Sequence, residues 1–195
     1  MQEPVLPVPS FDPAVTRIVH ESEAKDLLAE VGILLPARET VPPFDAVEAA
    51  SRIGYPVVVK ATGVAHKTEV GGVAVGLVDG DGVAQAVDRL AGPSGETRLL
   101  VEEYVGEAVA ELLIDIRREP PVGWLLTLGS GGRLAEIAAD VVSLILPVGP
   151  AEVTEALQSL AVWPLLAGHR GGPAADLDAI VEVVIRLQRL VTDRP

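Results

Sequence analysis

Two hydrophobic rhythms alternate along this chain. In HESEAKDLLAEVGI, residues 20–33, Ala24, Leu27, Leu28 and Val31 fall on one helical face, with Ser22 placed to cap the start and Gly32 to stop it. Helical spacing recurs around Asp45–Arg52 ahead of Gly54, up to Leu90 after the turn DGDG (79–82), in AEVTEALQSLA (151–161) and in DLDAIVEVVIRLQRLV (176–191). Between these lie short β-branched or alternating runs that read as strands. One precedes Pro42-Pro43, and YPVVVKA (55–61), GGVAVGLV (71–78), TRLLVEEYV (97–105), AELLIDIR (110–117) and VGWLLTLG (122–129) follow. This order is not a strict strand–helix alternation, so it predicts an α+β fold with an antiparallel component. No G-x-G-x-x-G follows the first strand, which disfavours a dinucleotide fold.

Punctuation sets the boundaries. Residues 1–16 hold prolines at 4, 7, 9 and 13 and read as an extended leader. The length suits one domain or two small lobes, and the family resemblance given below implies two lobes within 17–195, with a boundary near 100–105. AGPSGE (91–96) is a tight connection, and no internal repeat is visible.

Composition narrows the function. The chain has 195 residues, is 49% hydrophobic and only 3% aromatic, so its core must be aliphatic. Its net charge of -13 argues against nucleic-acid or anionic-membrane partners, which need surplus Lys and Arg. Cysteine is absent, which excludes disulfides and thiolate chemistry. No secretory pattern or bilayer-length apolar run is present, so a cytoplasmic protein is expected.

Against that acidic background, Lys60, His66 and Lys67 lie within eight positions, behind a run of three valines. Lys60 ends an apolar strand, where an ammonium is costly unless it reaches an edge or an anion. Thr62, Gly63, His66, Lys67, Thr68, Gly71 and Gly72 add hydroxyls, an imidazole and backbone open to close approach, a combination suited to polyphosphate. His66 could donate to phosphate or attack it, or be a turn residue. VEEYV (101–105) ends a strand with two acids, as a nucleotide hinge would. Glu111 opens an apolar strand and calls for an edge or a partner. Glu136 and Asp140 are four apart; on a helix they would share a face and suit Mg²⁺. The glycines of GSGG (129–132) imply close backbone approach to something.

These residues carry a resemblance. HESEAKDLLAEVGILLP resembles the opening of the ATP-grasp module of NDP-forming acyl-CoA synthetases, E-x-E-A-K-x-L-L-x-x-x-G-I-x-x-P. GYPVVVKATGVAHKTEVGGVAVGL is similar to that family's G-Y-P-V-V-L-K and H-K-[ST]-[DE]-V-G-G. Further motifs match in order through WPLLAGHRGGPAADLDAI. The resemblance implies an ATP-grasp fold, two α+β lobes with Mg-ATP or ADP between them. It places Lys60 and Lys67 on phosphates, Glu102, Glu103 and Val105 at the adenine hinge, and Glu111, Gly131 and Gly132 in the nucleotide pocket. It gives Mg²⁺ to Glu136 with Asp140 in support, and a phosphoryl relay to His66.

The implied reaction is acid + CoA + ATP ⇌ acyl-CoA + ADP + phosphate, with a CoA-binding alpha-type subunit or fused domain as partner. The family's cations are replaced at Ala139, Leu144 and Gly172, and its residues after the glycine loop by Arg133-Leu134-Ala135. Two alternatives therefore accompany the ligase: a catalytically weakened nucleotide-binding regulatory or scaffolding module, and a stand-alone carboxylate-activating ligase.

Overall fold

The computed structural model describes residues 19–62, 72–91, 98–132 and 135–193. The expected leader, most of the connection at 91–96 and the loop bearing His66 and Lys67 lie outside the described residues. Residues 17–107 and 108–195 form separate compact units.

The first unit comprises α1 (Glu21–Glu30), β1 (Arg38–Val41), α2 (Ala46–Ile53), β2 (Val57–Ala61), β3 (Val73–Leu77), α3 (Gly80–Leu90) and β4 (Leu99–Glu103). Its four strands pair antiparallel in the order β1-β4-β2-β3. Val57, Val59 and Ala61 of β2 and Leu99 and Val101 of β4 pack against Ala46, Ala49, Ala50, Val83 and Ala86 of α2 and α3. Small helical residues let the helices approach the valine-rich sheet closely, which is how a core almost without aromatics is filled. The intervening strand residues Val58, Lys60, Leu100 and Glu102 point to the opposite face.

Two local expectations change here. Ser22 lies inside α1, whose N-cap is His20 without a side-chain bond. The DGDG turn is absorbed into α3: Asp79 caps it, accepting from Gly82 N at 2.8 Å, so aspartate chemistry overrides the helix-breaking glycines.

The second unit comprises β5 (Leu112–Glu119), β6 (Gly123–Ser130), α4 (Ala135–Ala138), β7 (Val141–Ile145), α5 (Pro150–Ser159), α6 (Trp163–Leu166) and α7 (Leu177–Thr192). Its sheet is antiparallel in the order β5-β6-β7. Leu126 and Leu128 pack with Val153, Ala156 and Leu157 of α5 and Val181 and Val184 of α7. Asp176 caps α7 through Ala179 N at 3.0 Å, and Glu152 accepts from Gly149 N at 2.7 Å at the start of α5. On the other face of the sheet Leu113, Val141 and Ile145 are exposed.

β7 and α6 are additions to the sequence reading. VVSLI alternates in burial, but its exposed set, Val141, Ser143 and Ile145, is apolar at two of three positions, so residue type shows the period only weakly.

Candidate functional site

Within the first unit, the face opposite the core gathers charge. Lys60 sits on an inner strand opposite Leu100, and Glu102, on the adjacent strand, sits opposite Val58. Both side chains therefore project from the same face, two register positions apart. Glu102 is only 4% exposed. Its Oε2 lies 2.7 Å from Lys60 Nζ, and its Oε1 accepts a short hydrogen bond from Lys25 Nζ on α1. Glu21, one turn earlier on α1, completes a ring: its Oε1 is 2.7 Å from Lys60 Nζ and 3.0 Å from Lys25 Nζ.

Burial by itself would lower the Lys60 pKa. Hydrogen bonds to Glu102 and then Glu21, with their charges, outweigh it and hold the ammonium above its ordinary range. Lys60 is therefore a fixed cation here and not a base. The cost of an ammonium on a buried strand is met by carboxylates of the chain itself.

The expected hinge residues are divided in role. Glu102 turns its carboxylate to the lysines. Glu103 is exposed, its N–H donating to Ala37 O at 2.9 Å, and Val105 is exposed beyond the strand.

In the second unit, the glycine loop packs against its own chain. Gly131 N donates to Glu111 O at 2.7 Å, and a Cβ on Gly131 would lie 2.9 Å from the Glu111 carbonyl carbon. Gly132, at φ +80°, has the Glu111 carboxylate over it, where a Cβ would be 3.0 Å from Oε2. A Cβ on Gly129 would meet Asp140 O at 2.7 Å. Close approach is real, and the neighbours demanding it are Glu111 and Asp140.

Asp140 does not share a helical face with Glu136. α4 ends at Ala138, and Ala139 follows in the left-handed region at φ 47°. The Glu136 backbone lies in α4, but its side chain is outside the described residues. The Asp140 carboxylate accepts from Ser130 Oγ, from Ala161 N at 2.8 Å and from Val162 N at 3.2 Å. The Ser130 hydroxyl first, then the Ala161 N–H, lower its pKa against the opposing effect of burial, with Val162 adding to the fall. It ties the β6 end and the β7 start to the turn before α6. That arrangement fits a supporting residue better than a metal ligand, and no cluster of three metal-binding side chains occurs among the described residues.

Sequence reasoning missed Glu21 and Lys25. Their signal was present as an i,i+4 acid–base pair on α1, which reads as ordinary surface charge until the fold lays it over Lys60. Ser130, the hydroxyl in the glycine loop, was also missed as the partner of Asp140.

Two antiparallel sheets, each backed by helices in its own unit, define an α+β protein. The chain belongs to the ATP-grasp domain family, which it matches over residues 13–195. It is 34% identical to a trans-feruloyl-CoA synthase of an unknown prokaryotic organism, over 99% of this chain and 28% of that protein. It is 27% identical to the acetate–CoA ligase [ADP-forming] II subunit beta of Pyrococcus furiosus, over 89% of this chain and 77% of the subunit. Among solved structures, acetyl-coenzyme A synthetase 1 of Ca. Korarchaeum cryptofilum, in complex with coenzyme A and Ca-AMPCP, superposes with a TM-score of 0.81. The two are 28% identical, over 90% of this chain and 81% of that one. The chain thus spans about a quarter of the length of the first curated relatives, at 28%, 23% and 26%. No helix among the described residues is long and apolar enough to cross a membrane.

Proposed function

We propose that this chain is the ATP-grasp portion of an NDP-forming acyl-CoA synthetase. It binds Mg-ATP or Mg-ADP and passes phosphate between nucleotide and a phosphohistidine or acyl phosphate intermediate. One observation carries the reading: the chain aligns nearly end to end with proteins named ADP-forming acid–CoA ligases, including a β subunit of which it covers 77%. The fixed ammonium of Lys60 supports it, because its carboxylate partners mark a place for anionic oxygen.

Lys60 holds nucleotide phosphate in this proposal, with Lys67 beside it. Glu103 and Val105 border the base and ribose, and Glu102, in the same strand-end segment, turns its carboxylate to Lys60, while Glu111, Gly131 and Gly132 belong to the nucleotide-binding set. Glu136 carries Mg²⁺ and Asp140 holds the backbone around it. His66 accepts the phosphoryl group: its neutral ring nitrogen attacks phosphorus, the P–N bond forms, and the P–O bond to ADP or carboxylate breaks. A CoA-binding alpha-type subunit, or the remainder of a longer chain, supplies thioester chemistry.

The weakened-module reading draws on Ala139, Leu144 and Gly172, where the family's cations are replaced. Titration calorimetry with ADP, with and without Mg²⁺, separates these readings from none. Mg-dependent heat is expected; a folded chain that gives no heat leaves only scaffolding. Acyl-CoA formation from acid, CoA and ATP is then measured with the partner added. Turnover selects the ligase, and binding without turnover selects the weakened module.

A further inference from the structure

The charged ring on the first unit contains more than a paired strand lysine. Two ammonium groups converge on a single oxygen, Glu21 Oε1, at 2.7 Å from Lys60 and 3.0 Å from Lys25. Behind them Glu102 holds one lysine with each oxygen. The two acids are not equivalent: the Glu102 side chain is 5% exposed and that of Glu21 is 31% exposed. One buried carboxylate neutralises one ammonium, so the second requires another anion, and that anion sits at the accessible end. The helix supplying it has no fully buried residue and no side-chain N-cap. This chain has only three lysines, and two of them meet at this point.

We propose that Lys25 and Lys60 together form a two-lysine seat for a phosphate oxygen. Glu102 is its fixed clamp and Glu21 Oε1 is the internal stand-in that the ligand displaces. Lys25 is thereby a phosphate-binding residue. The proposal rests on the nucleotide reading above for the source of the phosphate. Exchange of one anionic oxygen for another keeps both ammonium groups paired throughout, so neither is left bare in a partly buried site. It also makes affinity a contest between ligand and Glu21, which removing the Glu21 charge should relieve.

Calorimetric titrations of the full chain with Mg-ADP and with inorganic pyrophosphate test this. Glu21→Gln is expected to tighten binding several-fold. Lys25→Gln is expected to weaken it about tenfold or more, the scale of one lost charge-assisted bond, with Lys25→Arg recovering part of the loss. ADP binding that ignores both Lys25→Gln and Glu21→Gln overturns the seat while leaving the nucleotide reading intact. Lys25-dependent pyrophosphate binding without ADP binding keeps the seat and removes the nucleotide. No binding of either ligand by any folded variant removes both. Should Lys25→Gln fail to fold, Glu21→Gln decides alone: tightening supports the seat, and weakening or no change sinks it.

Discussion

Replacing Asp140 with alanine should destabilise the second unit whether or not a metal is present. The substitution removes the acceptor for the Ser130 hydroxyl and for two backbone N–H groups, at Ala161 and Val162. The site is partly exposed, so water re-solvates some of the freed donors. The neutral-bond scale of about 0.5–1.5 kcal/mol each is then the right one, giving roughly 2–4 kcal/mol in total. A loss of about 2 kcal/mol lowers the melting temperature by about 4–16 °C, the small end applying if both units unfold together. The effect should depend on pH with a definite sign. Because the folded carboxyl is held below its ordinary 3.8, its stabilisation is complete above that value and fades as pH falls through the folded pKa. Thermal melts of wild type and Asp140→Ala at several pH values, in EDTA, provide the assay. The gap should be full at pH 7 and shrink below about pH 4. Identical melts in EDTA, with a gap opening only in Mg²⁺ and nucleotide, would make Asp140 a metal ligand and refute the reasoning.

Gly131→Ala should cost about 1–3 kcal/mol in denaturant titration, because its Cβ would lie 2.9 Å from backbone that cannot rotate away. An unchanged midpoint would mean the Glu111 segment yields freely. His66→Asn should leave Mg-ADP affinity unchanged while abolishing an acid-labile phosphate on the chain, read by mass spectrometry under alkaline conditions. Label persisting in the variant would move the relay elsewhere. Leu144 packs against the core of the second unit, so restoring the family's arginine as Leu144→Arg should lower the melting temperature and bring no gain in turnover. Faster turnover would show that the lost cation had limited catalysis.

Most of the architecture was legible because each element carries its own signal. The run VVV ahead of Lys60 is β-branched, Gly54 ends α2 at a positive φ, and α7 repeats its apolar stripe over four turns. What failed were signals that compete locally. Ser22 looks like a cap, yet α1 begins before it at Glu21. Gly80 and Gly82 look like breakers, yet Asp79 caps a helix through them. Glu136 and Asp140 look like neighbours on a helix, but α4 ends at Ala138, Ala139 follows in the left-handed region, and the Asp140 carboxylate meets Ala161 and Val162. That last contact spans 21 residues, and no local window contains it.

The candidate site follows the same division between near and far. Lys60 and Lys67 attract notice because they are close in sequence; among the described residues, the lysine that meets Lys60 around one oxygen is Lys25, from a different element. The spacing of charges along α1 suits an isolated helix equally well, so only the sheet beneath it turns an i,i+4 pair into a ring. A chain of net charge -13 repels a polyphosphate at long range, so the proposed seat gains from two cations concentrated around a carboxylate that stays. Glu102 is buried and bound at both oxygens, which suits it to remain. Glu21 is partly reachable from solvent, which suits it to the displaced role in the proposed seat. In the proposed exchange Glu102 keeps both lysines paired while Glu21 gives way to phosphate, which costs less than opening an unpaired cationic site.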